Sequence, residues 1–524
     1  MNAHDALLFN LVTIQFFGGV IFTLQLAPVF FPNANIPVAF LLTVVFTAPL
    51  YIVYSVLSTS YPRSGGDYVF ISRLVSPMWG FVATFAAWVA WQWYFAAITP
   101  IQMIWEGLAP FVLKVAYYTG STSVYALSSW LLTPNAEAFV SILILVFSLI
   151  LTAFGMEFYI KIQRALVIFA FAAVAIALGV LLFTTPQSYQ VAFNSFVSTT
   201  TGNRTDWYNA VINTAAAQGF KAGGGTTDWY QTFGTFVLTM IPLGYGFWSI
   251  IVMGEIKDAK VLKLAIYSIY GSIVLVGVFF AAIYLLLQNV GSQFYGSFFY
   301  LYGQGSPLTA QMPFTPNFVT LILIGSNNII VDFLLSIGVF LNLLNLMVVL
   351  YIVGSRVMLA QTFDRLLPSK LAELKTRFVT PLYGLLVYLI GSVIFLLLAV
   401  YYPFIFFYTT ASTAAVLLAY ILAAIAAIML PSRAPDVYKQ SPISRYSLAG
   451  VPLLSIIAVL SIVFSGWLTY TYIAIPALGL TNPIPLAVVI GIYVILAVYY
   501  YINKFYRKQA GIEIELAFKE IPPE

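Results

Sequence analysis

The chain has 524 residues, of which 61% are hydrophobic and 7% charged, with a mean hydropathy of +0.96; a soluble domain, with about a quarter of its residues charged, is excluded. Zero cysteines and a single histidine, His4, exclude disulfides, thiolate metal sites, cysteine nucleophiles and histidine-containing triads or zinc centres, so no metal or cofactor is expected. The net charge of +5 is spread over short segments and does not point to a nucleic-acid partner.

Apolar runs of about 20 residues or more can cross a hydrocarbon core of about 30 Å, which rules out short barrel strands and leaves helices. Twelve spans are expected, at 6–30, 36–60, 77–104, 136–154, 160–184, 230–254, 261–288, 328–354, 380–399, 401–430, 447–473 and 482–505. The first has no charged leader region or small-residue cleavage site and reads as a true helix. It is interrupted by "QFFGGVIFT" (Gln15 to Thr23).

After the second span comes "YPRSGGDYVFISR" (Tyr61 to Arg73), rich in glycine and charge. The third carries "WVAWQWYF", in which Gln92 is a buried polar group among Trp88, Trp91 and Tyr94. The segment 105–135 is apolar, contains Lys114, and is expected to dip into the interface. Two long connections, 185–229 and 289–327, read as outer loops with some helix; the first contains the sequon Asn203-Arg204-Thr205.

The sixth span contains "MIPLGYGFWS" (Met240 to Ser249). Glycine in a helix interior costs about 1 kcal/mol relative to alanine and proline about 3 kcal/mol, so Pro242, Gly244 and Gly246 form a strong breaker. Backbone groups freed there cannot face lipid. The bland reading is close helix packing through small residues. Two breaks in helices 1 and 6, the matching positions of a five-plus-five inverted repeat, point instead to a transporter's binding site.

Free amides and helix N-termini hold an anion, and exposed carbonyls hold a cation or ammonium. A zwitterion fits both. The expected substrate contacts are Phe17, Gly18, Gly19, Val20 and Ile21 on one side, mainly through backbone, and Gly244, Tyr245, Gly246, Phe247 and Trp248 on the other, with Gln92 beside them. Tyr245, Phe247 and Trp248 are available as an aromatic gate.

Intramembrane acids are scarce. Asp332 begins the eighth span, about 36 Å from Arg356 at about 1.5 Å per residue, and is expected at the outer surface. Glu106 and Glu137 sit at outer ends, and Glu157 and Glu255 at inner ends. This argues against multiply cationic substrates, which need a buried counter-charge. Asn342 and Asn345 share one helical face as a possible cation site or an interhelical hydrogen bond.

Of the 22 Lys+Arg, all but Lys114, Arg204 and Lys221 fall in one set of loops and the tail. By the positive-inside rule both termini are cytoplasmic, and the chain is a multi-pass protein of the cell membrane.

Four stretches resemble the amino acid/polyamine/organocation (APC) superfamily, in its amino acid permease-like members. "YPRSGGDYVFISR" is similar to its Y-P-x-S-G-G-x-Y signature, "GMEFYIKIQRALVIFA" (Gly155 to Ala170) to its entry into helix 5, "GYGFWSIIVMGEIKDAK" (Gly244 to Lys260) to its helix 6 segment, and "VGSRVMLAQTFDRLLPSKLAELKTRFVTP" (Val353 to Pro381) to its link between helices 8 and 9. The resemblance implies an all-α polytopic membrane protein of twelve transmembrane helices: a LeuT-like five-plus-five inverted repeat with broken helices 1 and 6, plus two C-terminal helices. The units would be 1–184, an outer loop 185–229, 230–430, 431–505 and a cytoplasmic tail 506–524.

It further implies alternating access by a symporter or exchanger, with a small-molecule substrate, a neutral amino acid by the charge argument above, and H+ or Na+ as coupling ion. Arg63, Asp67 and Arg73 would belong to a cytoplasmic charge network at the inner gate; a purely topogenic role for the arginines is the alternative. Three positions depart from the family: Val20 replaces a helix 1 glycine, Trp248 stands where many members carry an acid, and Ala170 where some carry a lysine. A non-transporting scaffold or receptor of the same fold is the competing function. A membrane-embedded enzyme lacks a cavity-facing acid/base pair.

Overall fold

A computed structural model of the chain describes residues 1–14, 18–220, 228–243, 247–373, 380–402 and 413–518, with backbone alone for 18–22, 240–243, 281 and 477. It is a helical bundle. Among the described residues the one strand pair is a two-residue hairpin, Ser447–Leu448 against Val451–Pro452.

The first expected span is described as two helices, α1 (Ala3–Thr13) and α2 (Gly18–Phe30). A reciprocal cap starts α1: the Asp5 amide donates to Asn2 Oδ1 at 2.9 Å, and the Asn2 amide donates to Asp5 Oδ2 at 3.0 Å. Asp5 also holds Arg164, Nε to Oδ1 at 2.8 Å. Then follow α3 (Ile36–Ser60), the short α4 (Asp67–Leu74) and α5 (Pro77–Thr119), which is 43 residues long. Two passages of α5, Ala86–Ala90 and Met103–Leu108, are π-helical.

The segment expected to dip into the interface is therefore the continuation of α5, followed by α6 (Thr122–Leu131). Next come α7 (Pro134–Ala153) and α8 (Met156–Phe183). The outer connections contain more helix than their polar composition suggested. α9 (Pro186–Thr201) is started by Thr185 and Ser188, and α10 (Trp207–Ala217) by Asp206, which accepts from the Asn209 amide at 3.2 Å. The Ser, Thr and Asp that read as loop signals are helix caps.

The sixth span is α11 (Trp229–Leu243), followed beyond residues 244–246 by 3-10 turns at Trp248–Ile251 and Met253–Glu255. α12 (Leu262–Gly303) bends at Gly291, whose φ is +111°. The remaining helices of eight residues or more are α13 (Phe318–Gly325), α14 (Ile329–Phe363), α15 (Leu382–Tyr401), α16 (Leu417–Arg433), α17 (Leu453–Ala474) and α18 (Pro483–Gln509).

Ten helices of the described residues are long and apolar enough to span a membrane. The first and sixth expected spans are absent from that set because each is described as shorter pieces. α14 is the hub: it packs against α8, α5, α7, α15 and α1. α17 and α18 are the periphery, with 33% and 22% of their apolar windows buried.

The α8–α14 crossing is close. A Cβ at Gly338 would stand 2.5 Å from the Ala173 Cβ and 2.7 Å from the Phe169 carbonyl oxygen. Gly338→Ala is expected to lower stability by about 1–3 kcal/mol through forced separation of the two helices. Gly466→Ala, whose added Cβ meets nothing within 4 Å, is the control and should be neutral or stabilising. Thermal melts in detergent check the pair.

Candidate functional site: the flanks of the two glycine segments

Helix α1 closes at Ile14, whose amide donates to the Asn10 carbonyl at 3.0 Å. α11 is described to Leu243, and beyond it the chain does not resume as α-helix: Phe247 has φ −127° and ψ 17° and leads into a 3-10 turn. Such a turn leaves backbone groups without an i→i−4 partner, and inside a membrane protein they must be answered from elsewhere.

Asn10 answers them. It is fully buried at 0% exposure. Its Nδ2 donates to Ser249 Oγ at 3.0 Å and to the Ser268 carbonyl at 2.9 Å, and its Oδ1 accepts from the Ser249 amide at 2.9 Å. One side chain thus ties α1, the turn after α11 and α12 together. Sequence reasoning missed Asn10, because a lone polar residue in an apolar helix carries no signal of what lies across from it.

Of the expected substrate contacts, Gly18, Gly19, Val20 and Ile21 form the first turn of α2. Phe17, Gly244, Tyr245 and Gly246 lie outside the described residues. Phe247 and Trp248 are wholly buried. The Phe247 ring stacks on Tyr54 at 4.2 Å and meets the edges of Tyr51 at 5.2 Å and Tyr420 at 5.4 Å. The Trp88 indole stands edge-on to Trp248 at 5.8 Å. Gln92 is also buried, and neither of its amide atoms has a hydrogen-bond partner among the described residues.

Asn342 and Asn345 lie on α14. Asn345 Oδ1 accepts from the Tyr159 hydroxyl at 3.0 Å, and the Tyr159 ring meets the edge of Phe9 on α1 at 6.1 Å. The Nδ2 atoms of both asparagines are buried without a partner among the described residues. No group of three or more His, Cys, Asp or Glu that could hold a metal occurs among the described residues.

At the end of the bundle carrying most basic residues, Arg73 is paired with Asp364 rather than with Asp67: Nη1 to Oδ2 is 2.6 Å and Nη2 to Oδ1 is 2.8 Å. The Tyr68 hydroxyl donates to the same carboxylate. Arg356 pairs with Glu255 at 2.7 Å. Arg63 Nη1 donates to the Pro62 carbonyl at 3.4 Å. Asp67 sits apart from both arginines. The Trp88 indole donates to its Oδ1 at 2.7 Å and Oδ2 at 2.9 Å, and the Tyr54 hydroxyl donates to Oδ2 at 3.3 Å. Burial pushes the Asp67 carboxyl up to about 7, the Trp88 and Tyr54 donors pulling the other way.

Gly65 and Gly66 place this segment, with φ of +105° and +56°. A Cβ at Gly65 would meet the Ala360 Cβ at 2.5 Å. The turn brings Ser64 into a backbone bridge with Val252, and the Gly65 amide donates to the Ile251 carbonyl at 2.9 Å. The Tyr61-to-Arg73 motif is thereby bound to the turn that follows α11.

At the opposite end Asp332, in the first turn of α14, is buried at 0% exposure. The outer arm of α5 covers it: Lys114 Nζ is 3.6 Å from Asp332 Oδ2 and donates to the Ser326 carbonyl at 2.8 Å, and the Tyr118 hydroxyl donates to Asp332 at 3.0 Å. Treating 105–135 as a separate segment hid this pairing.

A bundle in which ten helices of the described residues are long and apolar enough to cross a membrane has the form of a multi-pass membrane protein. The family model for amino acid permeases matches residues 13–514, and the chain belongs to that family. It is a multi-pass membrane transporter of amino acids. Comparison with curated proteins returns no match.

Asn10→Ala leaves the buried Ser249 amide without an acceptor and is expected to cost about 1–3 kcal/mol. A chemical-denaturation midpoint in detergent measures it; a loss under about 0.5 kcal/mol, the lower bound for one ordinary hydrogen bond, would show that the link is dispensable.

Proposed function

We propose that the protein is a secondary active transporter, a symporter or exchanger, for neutral amino acids, working by alternating access with both termini in the cytoplasm of a cell membrane. The carboxylate is held by backbone amides of Phe17, Gly18, Gly19 and Val20, and the amine by carbonyls of Leu243 to Phe247. Arg73 with Asp364, and Arg356 with Glu255, close the inner end.

The observation that carries this reading is the Asn10 link. It holds the last turn of α1 against the first turn after α11, so the flanks of the two glycine segments belong to one locus. The unpartnered amide of Gln92 on α5 adds a polar group able to answer a ligand. The buried acids among the described residues, Asp5, Asp67, Glu106, Glu137, Asp332 and Asp364, form no cluster of three or more of the kind that would answer the several charges of a polyamine. A neutral zwitterion needs none, since peptide dipoles answer both of its charges.

Uptake of labelled amino acids into proteoliposomes tests the proposal. Saturable uptake of at least one neutral amino acid, with none of a polyamine, is expected. Folded protein that takes up no member of the panel would overturn it. Gly18→Leu places a branched side chain at the start of α2 and should abolish uptake while the protein still elutes as a folded species; unchanged uptake would remove helix 1 from the binding site.

A further inference from the structure

Asp67 is a buried acid that neither the binding site nor the inner ion pairs use. Both of its oxygens are met by neutral donors, the Trp88 indole and the Tyr54 hydroxyl, and among the described residues it enters no ion pair. Among the described residues no cation is bonded to it. α3 presents Tyr54, α16 presents Tyr420 and Arg433, and α14 presents Asp364; α4 itself carries Tyr68 and Arg73. Arg73 and Asp364 are bound to each other. Arg433 is occupied at the far end of α4, donating to the carbonyls of Leu74 at 2.7 Å and Val75 at 3.3 Å. Burial favours the neutral acid over the carboxylate, while the Trp88 and Tyr54 donors pull the other way.

The location couples this acid to the transport machinery. Tyr54 lies six residues before the end of α3 and Trp88 eleven beyond the start of α5, so Asp67 stands roughly 9 to 16 Å in from the helix ends at about 1.5 Å per residue. Both of its donors are also walls of the turn after α11: Tyr54 stacks on Phe247, and Trp88 meets Phe247 at 6.5 Å and Trp248 at 5.8 Å. Any displacement of that turn displaces the donors and admits water to the carboxyl.

Resting on the transport reading above, we propose that Asp67 is the proton-binding site that couples amino acid movement to a proton gradient. A proton from the outer solution joins the carboxylate, giving the neutral acid that the closed aromatic box favours. When the turn after α11 moves and the inner end opens, water reaches the carboxyl, its ordinary acidity returns, and the proton leaves to the inner solution. Burial raises the pKa of the carboxyl to about 7 in the closed box, and this sets the sign: the closed box binds the proton more tightly than the hydrated one, so the advantage of closure is fully present below the ordinary carboxyl range and is lost as pH rises through about 7.

The test uses the full-length protein in proteoliposomes, with exchange measured at equal pH on both sides and accumulation measured under an acid-outside gradient. For Asp67→Asn the ratio of gradient-driven accumulation to exchange should fall at least tenfold, and the dependence of exchange on pH near 7 should flatten. Asp67→Glu should recover part of the coupling. Trp88→Phe, which removes the donor to both oxygens, should move the midpoint of the exchange pH profile upward. An Asp67→Asn protein that accumulates substrate at the wild-type ratio, a wild type driven by sodium and indifferent to pH, or a Trp88→Phe midpoint that stays in place would each overturn the assignment while leaving transport intact. A wild type without exchange would overturn the transport reading itself, and Asp67's role with it.

Discussion

A peptide group inside a membrane protein has no water to fall back on, and the rest of this structure depends on how that debt is settled at one turn. Where α11 gives way to a 3-10 turn, the Ser249 amide takes its acceptor from Asn10, 239 residues away in sequence. The same amide group of Asn10 also reaches α12 through the Ser268 carbonyl. Three elements are therefore held by one polar side chain. The arrangement allows the sixth span to depart from helix without leaving a naked donor in an apolar core.

The end of the bundle carrying most basic residues is organised around the same turn. The glycine pair of the Tyr61-to-Arg73 motif folds the chain back so that Gly65 and Ser64 bond to Ile251 and Val252. The motif then continues as α4, whose first residue is a buried acid between Tyr54 and Trp88 and whose Arg73 grips Asp364. Aromatic rings fill the space between, with Phe247 touching Tyr51, Tyr54 and Tyr420. A shift of the turn after α11 is transmitted to this entire layer because it is packed without slack.

Much of this was readable from residues alone. The helical class follows from composition, and the family from four stretches of the chain, of which the inner motif is the most specific. The positions of α3, α7 and α8 follow from apolar run length. Other features were not. Polar residues at 185–188 and 206 read as loop and are caps, since Ser, Thr and Asp serve both uses. The partner of Arg73 could not be read, because Asp67 is near in sequence and Asp364 is near in space. Nor could the cover that the arm of α5 lays over Asp332 at its helix end be read. In each case a tertiary neighbour decided the matter.

That arm is a continuation of the helix that carries Trp88, and the helix is not uniform. Each π-helical passage of α5 accommodates extra chain within a turn that would otherwise hold 3.6 residues. Trp88 lies in the first passage and Lys114 beyond the second. Were the Ala86–Ala90 passage to rewind as regular α-helix with all its residues retained, everything beyond it would swing by about 100°, carrying Lys114 away from Asp332. The lock at one surface and the acid near the other thus share a single helical phase, and neither can be rebuilt in a relative without preserving that phase.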